Sequence, residues 1–149
     1  MTERGDDSEV GTVNSITFWL PNLPPSVNEI YAPGRSLYSS KPEWQIKPEW
    51  LIWRTNNAPY IPRFTIATGS FIRADLVFHY DYYYPRQRSR LRIVDAQNMI
   101  KFTVDTIARK LGFNDLLVKQ GSWDSRHSET GGTVKVTLTE IINEDNDEH

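Results

Sequence analysis

Between Ser70 and Asp81 the chain alternates, with Ile72, Ala74, Leu76, Phe78 and Tyr80 facing one way and Arg73, Asp75, His79 and Asp81 interleaved. A period of two over this length predicts a half-buried strand, with His79 as a surface residue on its polar side. Thr133 to Ile141 alternates in the same way, with Val134, Val136 and Leu138 inward. Ile16 to Leu20 is a short β-branched and aromatic run that reads as a strand, stopped by Pro21, Pro24 and Pro25, which cannot donate to a ladder. Leu116 to Trp123 is expected as a further strand, followed by a turn at Gly131-Gly132.

The period changes between Asp95 and Gly112. Ile100, Val104, Ile107 and Leu111 recur at spacings of four, three and four, which stacks them on one face of a helix. Asn98, Lys101 and Asp105 fall on a separate stripe. Asp95 is placed to cap the helix start, and Gly112 stands where a helix usually stops. A shorter helix is expected over "KPEWLIWRTN", with Pro48 in its first turn and Trp50, Leu51 and Trp53 as the side to be buried. "KPEW" occurs twice, at Lys41 to Trp44 and Lys47 to Trp50, too little for a repeat architecture. Tyr31 to Ser40 reads as loop around a Pro33-Gly34 turn. Strands, a helix packed on one face, then strands again predict an α+β fold, a small mixed or antiparallel sheet covered on one face by helices.

At 149 residues one domain is the expected size: residues 13–142, flanked by an acidic tail over 1–12 expected to be disordered and a second over 143–149. The absence of cysteine excludes disulfides, thiol catalysis and thiolate metal sites. No long apolar run or signal-peptide core appears, so a cytoplasmic protein without a membrane span is expected. The net charge of −2 hides an asymmetry, because eight acids lie in residues 1–10 and 143–149 against Arg4 alone. The body keeps 16 basic and 11 acidic residues, a formal +5, which suits a polyanionic partner.

The chemistry concentrates between Arg86 and Asp115, with a run of tyrosines leading into it. Tyr80, Tyr82, Tyr83 and Tyr84 lead into Arg86, Arg88, Arg90 and Arg92. In an extended segment the alternating arginines would share one side and form a ladder for backbone phosphates, while tyrosine can stack on an unpaired base. The alternative is an edge strand kept soluble by charge. Then come Asp95, Asn98, Lys101 and, after the helix, Asp115. Lys101 and Asp105 at i, i+4 also fit a plain helix-surface ion pair. Asp75 and Asp124 are reserve acids that neighbouring strands could bring near. Ser26 and Asn28 fit either local turn capping or a place at the site.

"DAQNMIK" followed by an acidic turn resembles the signature of the RusA-like Holliday junction resolvases, in which an Asp-x-Asp-Asn-x-x-Lys run opens a helix and a further Asp follows it. "LPNLPPSVNEIY", Leu20 to Tyr31, is similar to the Pro-Pro-Ser-x-Asn segment with which that family leaves its first strand. The resemblance spans roughly Ile16 to Ile141. It implies a Mg²⁺-dependent endonuclease, with Mn²⁺ as an alternative ion, that works as a homodimer on four-way DNA junctions in recombination and repair. Carried over residue by residue, it makes Asp95 and Asp115 metal ligands and sets Asn98 and Lys101 beside them in the catalytic group; Lys101 and, from their own alternation, the four arginines are the expected DNA contacts. The family's second acid falls on Gln97, whose carbonyl oxygen brings no charge. Weaker metal binding is the expected consequence, and the alternative is a junction-binding protein without cleavage. A scaffold that binds protein through its aromatic and arginine side chains is a third reading.

Overall fold

The computed structural model describes residues 14–25, 31–35 and 42–142. Ser26, Asn28 and both acidic tails lie outside them. Four strands form the main sheet: β1 (Ser15–Leu20), β4 (Phe71–Tyr80), β7 (Val118–His127) and β8 (Thr133–Ile141), in the order β1-β8-β4-β7. β8 runs antiparallel to both β1 and β4, while β4 and β7 are parallel. The sheet is therefore mixed, and the fold is α+β as the periodicity predicts.

The alternation has the expected cause. Ile72, Ala74, Leu76 and Phe78 of β4, Val134, Val136 and Leu138 of β8, and Phe18 and Leu20 of β1 are all buried on one face. Two helices cover that face: α1 (Pro48–Asn57) and α2 (Ala96–Leu111). Trp50 and Trp53 of α1 pack on Phe102 of α2, with ring centroids 4.7 and 5.9 Å apart, so the tryptophans serve the core. Of the α1 side chains expected inside, Leu51 is 42 % exposed. Arg54 closes the junction, its guanidinium 4.8 Å from the Phe102 centroid and 3.0 Å from the Asp105 carboxylate. Asp105 thus pairs with α1 rather than with Lys101, because the two helices pack side by side.

The buried line of α2 is displaced from the predicted one. Met99, Phe102, Thr103, Thr106, Ile107 and Ala108 are buried, while Ile100, Val104 and Leu111 are half-buried. The displacement arises because α2 packs against α1 as well as the sheet. Ile100 and Val104 then line an open groove of about 320 Å³ beside β7, with Leu76 and Trp123.

Three segments depart from the sequence reading. Tyr31–Arg35 is a strand, β2, paired antiparallel with β3 (Pro42–Ile46), Pro33 opposite Trp44 and Gly34 opposite Glu43. Its sequence, YAPGR, lacks any two-residue period, so the pairing leaves no pattern to read. Leu116 belongs to a 3₁₀ turn (Asp115–Leu117), and β7 starts two residues later and runs on to His127. Tyr80 is half-buried, because it turns to Tyr82 at 5.2 Å and to the Arg92 guanidinium at 5.7 Å.

Gly121 permits the parallel pairing, since a Cβ there would lie 2.3 Å from the Ala74 carbonyl oxygen. The open face of the sheet is polar, with Thr17 and Thr137 hydroxyls 3.0 Å apart and the His79 ring tilted against Trp19, centroids 5.1 Å apart.

Glu140 is buried near the end of β8. The Ser70 hydroxyl bond lowers its carboxyl below the usual glutamate range, outweighing the opposing effect of burial, and the Ala67 N–H, donating at 2.8 Å, and Asn14 add to it. A carboxylate with a depressed folded pKa stabilises the fold above its unfolded pKa, and that contribution is lost as pH falls through the folded value. Glu140→Ala should lower unfolding free energy in urea by about 1–3 kcal/mol at neutral pH, the usual cost of leaving buried donors unpaired, with a smaller deficit in acid.

Candidate nucleic-acid interface and acidic site

The polypeptide leaves β4 at Tyr80 and forms a small hairpin, β5 (Tyr83–Tyr84) and β6 (Gln87–Leu91), joined by Pro85-Arg86. Of the four arginines only Arg88 and Arg90 lie in β6. Arg86 is in the turn and Arg92 follows the strand, so the four do not form one extended ladder. Three of them rest on tyrosine rings instead. Arg88 lies 5.5 Å from the Tyr83 centroid, Arg90 5.0 Å from Tyr84 and Arg92 5.7 Å from Tyr80. Such stacking orients a guanidinium while leaving its edge donors available.

Counter-ions at the hairpin root then divide the arginines. Arg88 is paired with Asp81 and lies 3.5 Å from Glu129. Its hydrogen bond to Asp81, with that of the Tyr83 N–H, holds the Asp81 carboxyl below the usual range, and Asp81 in turn raises Arg88. Arg92 donates to the Asp81 carbonyl at 3.4 Å. His127 joins the cluster, its Nδ1 accepting from the Tyr82 N–H at 3.2 Å. This root of Asp81, His127 and Glu129 has no spacing in the sequence that would reveal it, since β7 and the turn that follows it bring the last two from beyond α2.

The hairpin root leads directly into α2. The Arg92 N–H bonds the Tyr82 carbonyl at 2.7 Å, and Asp95 follows as the N-cap. One Asp95 oxygen accepts from the Asn98 N–H at 3.2 Å and the other from the Asn98 side-chain amide at 3.0 Å. Gln97 and Lys101 are exposed, a turn apart on the same stripe, and Asn98 is half-buried. The structure therefore brings Asp95, Asn98, Gln97 and Lys101 together at the hairpin end of the sheet. Gly112, at φ +79°, ends the helix, its N–H donating to the Ala108 carbonyl at 2.8 Å.

Asp115 lies elsewhere. It stands exposed in the 3₁₀ turn capped by Asn114, whose side chain accepts from the Leu116 N–H at 2.9 Å. Three residues later Val118 pairs with Ile72, at the start of β4, whereas Asp95 lies beyond that strand's end. The sixteen residues of α2 span about 24 Å at 1.5 Å each, and that length divides the two aspartates. A Mg²⁺ ion needs its oxygen ligands about 2.1 Å from one point. Asp95, Gln97 and Asp115 of one chain do not meet that requirement, and among the described residues no group of three or more acids and histidines is gathered to hold a metal.

The reserve acids are spent on the far side of the sheet. Asp75 accepts from Arg73 at 2.9 Å and from the Ser122 hydroxyl at 2.6 Å. Burial pushes its carboxyl up, but these bonds outweigh that and hold it below the usual range. Asp124 is lowered by Arg126, which donates at 3.0 Å. Both residues alternate with positions facing the helices, so neither can join Asp95.

No protein-family model matches this chain, and no curated protein matches it. No helix among the described residues is long and apolar enough to cross a membrane.

Because Asp95 caps α2, Asp95→Ala should cost about 0.5–2 kcal/mol of stability in denaturant titration, whereas Asp95→Asn, still able to cap, should cost little. Asp115→Asn should leave stability unchanged.

Proposed function

We propose that this chain is a RusA-like endonuclease that cuts branched DNA, four-way junctions in particular, with Mg²⁺ as its ion and a homodimer as its working unit. The observation that carries the reading is the adjacency of the Asp95–Asn98 pair and exposed Lys101 to the arginine–tyrosine hairpin. Cations that hold backbone phosphates would deliver a phosphodiester to a carboxylate and an ammonium. Lys101 suits the point-charge task of neutralising a phosphate or a leaving oxygen.

The separation of Asp95 from Asp115 gives the dimer a chemical reason. In a two-fold pair with α2 helices side by side and antiparallel, the N-terminus of each helix meets the C-terminal end of the other. Each site would then take Asp95, Gln97 and Lys101 from one copy and Asp115 from the second. Bound there, Mg²⁺ would supply charge neutralisation and an activated water.

A mixing experiment tests this. Asp95→Asn and Asp115→Asn should each fail to nick a labelled four-way junction in Mg²⁺. Equal amounts mixed, unfolded and refolded together should recover roughly a quarter of wild-type nicking, because half of the dimers would carry one intact site. No recovery would refute shared sites, and an uncut junction with bound wild-type protein would refute the endonuclease.

Gln97 favours a second reading, a junction-binding protein without cleavage. On that reading wild type binds with strong salt dependence but does not cut in Mg²⁺ or Mn²⁺, and Gln97→Asp gains nicking.

A further inference from the structure

The tip of the hairpin holds a hollow of about 360 Å³ lined by Tyr84, Pro85, Arg86, Gln87 and Arg90. We propose that this hollow is a binding site for one unpaired nucleotide of a DNA strand, its base stacked at Tyr84 and Pro85 and its phosphate held by Arg86. The inference rests on the DNA-binding part of the reading above but not on cleavage.

Three observations converge on the tip. First, the two guanidinium groups of the tip, Arg86 and Arg90, have no carboxylate partner among the described residues. Arg88 is neutralised by Asp81 and Glu129, and Arg92 is tied to the Asp81 carbonyl. Arg86 makes no hydrogen bond, ion pair or ring contact among the described residues, and Arg90 has only the neutral Gln87 carbonyl at 3.3 Å and the Tyr84 ring.

Second, the aromatic platform is already fixed. The Tyr84 hydroxyl accepts from the Ile93 N–H at 3.4 Å, and the Arg90 guanidinium stands 5.0 Å from the ring centroid. A ring held in advance loses little freedom on binding. Proline adds a second rigid apolar surface.

Third, the polar groups fit a base edge. Gln87 spends its carbonyl on Arg90, which leaves its amide N–H groups as donors for a base carbonyl. Duplex DNA cannot use this combination, because its bases already cover one another's faces, whereas stacking platforms serve single strands. The occupant is therefore a base freed from pairing, as at a branch point or a single-stranded end.

The test is fluorescence anisotropy of the full-length protein, across a salt series, with a labelled oligothymidylate and a blunt duplex of equal length. Wild type should bind the single strand more tightly. Tyr84→Ala should weaken that binding roughly 5- to 150-fold with little effect on the duplex, and Tyr84→Phe, which keeps the ring but loses its tether to the Ile93 N–H, should keep most of the single-strand binding. Arg86→Ala, in an exposed turn, should lower the slope of log affinity against log salt by about 0.7, one phosphate's worth. Equal affinity for both DNAs, or single-strand binding unchanged in both Tyr84→Ala and Arg86→Ala, would overturn the inference.

Junction nicking by the same proteins keeps the two ideas apart. Wild type that nicks while both variants hold the oligothymidylate normally would sink the tip site and leave the endonuclease. Wild type that never nicks, with single-strand binding lost in Tyr84→Ala, would do the reverse.

Discussion

The parallel pairing of β4 with β7 constrains everything that follows it in the chain. Parallel neighbours cannot be joined by a tight turn, because the polypeptide must return the length of the strand before it can pair again. Here the return passes through the arginine hairpin and then along α2. The crossover therefore carries the candidate chemistry as well as the lid of the core. Gly121 is what allows the strands to close, since any side chain there would strike the Ala74 carbonyl.

That constraint also decides which polar residues can cooperate. Asp95 and the hairpin share one end of the sheet because the chain reaches the helix directly from β6. Asp115 is carried to the other end by the same helix. Residues twenty apart in sequence are thus kept apart in space by the element that links them, and a site needing both acids needs a second chain. Asp105, on the same helix, is paired with Arg54 while its side chain stays partly exposed, so it helps dock α1 against α2.

Charge is sorted in a similar way. A count of arginines suggests four equivalent phosphate contacts, yet Asp81 and Glu129 hold Arg88, and Arg92 donates to the Asp81 carbonyl. What remains is a rigid root and a tip with cationic and aromatic groups open to solvent. A hairpin so built keeps its shape through its own ion pairs and rings, and the residues at its turn can be specialised for a ligand.

The sequence by itself determined the strands β1, β4 and β8, the limits of α2 with its Asp95 and Gly112 caps, and the α+β class. Each depends on a local period or a local hydrogen bond that neighbouring residues complete. It also named Asp95, Asn98, Lys101 and the arginines as candidate site residues. Only the tertiary structure decided the pairing of β2 with β3, the burial of Met99, the packing of Phe102 against the tryptophans, and the partners of Asp105 and Arg88. Those depend on segments far apart in the chain, for which side-chain periodicity carries no information. The distance between Asp95 and Asp115 belongs to the same class: spacing named both residues, but the direction of α2 across the sheet set them at opposite ends.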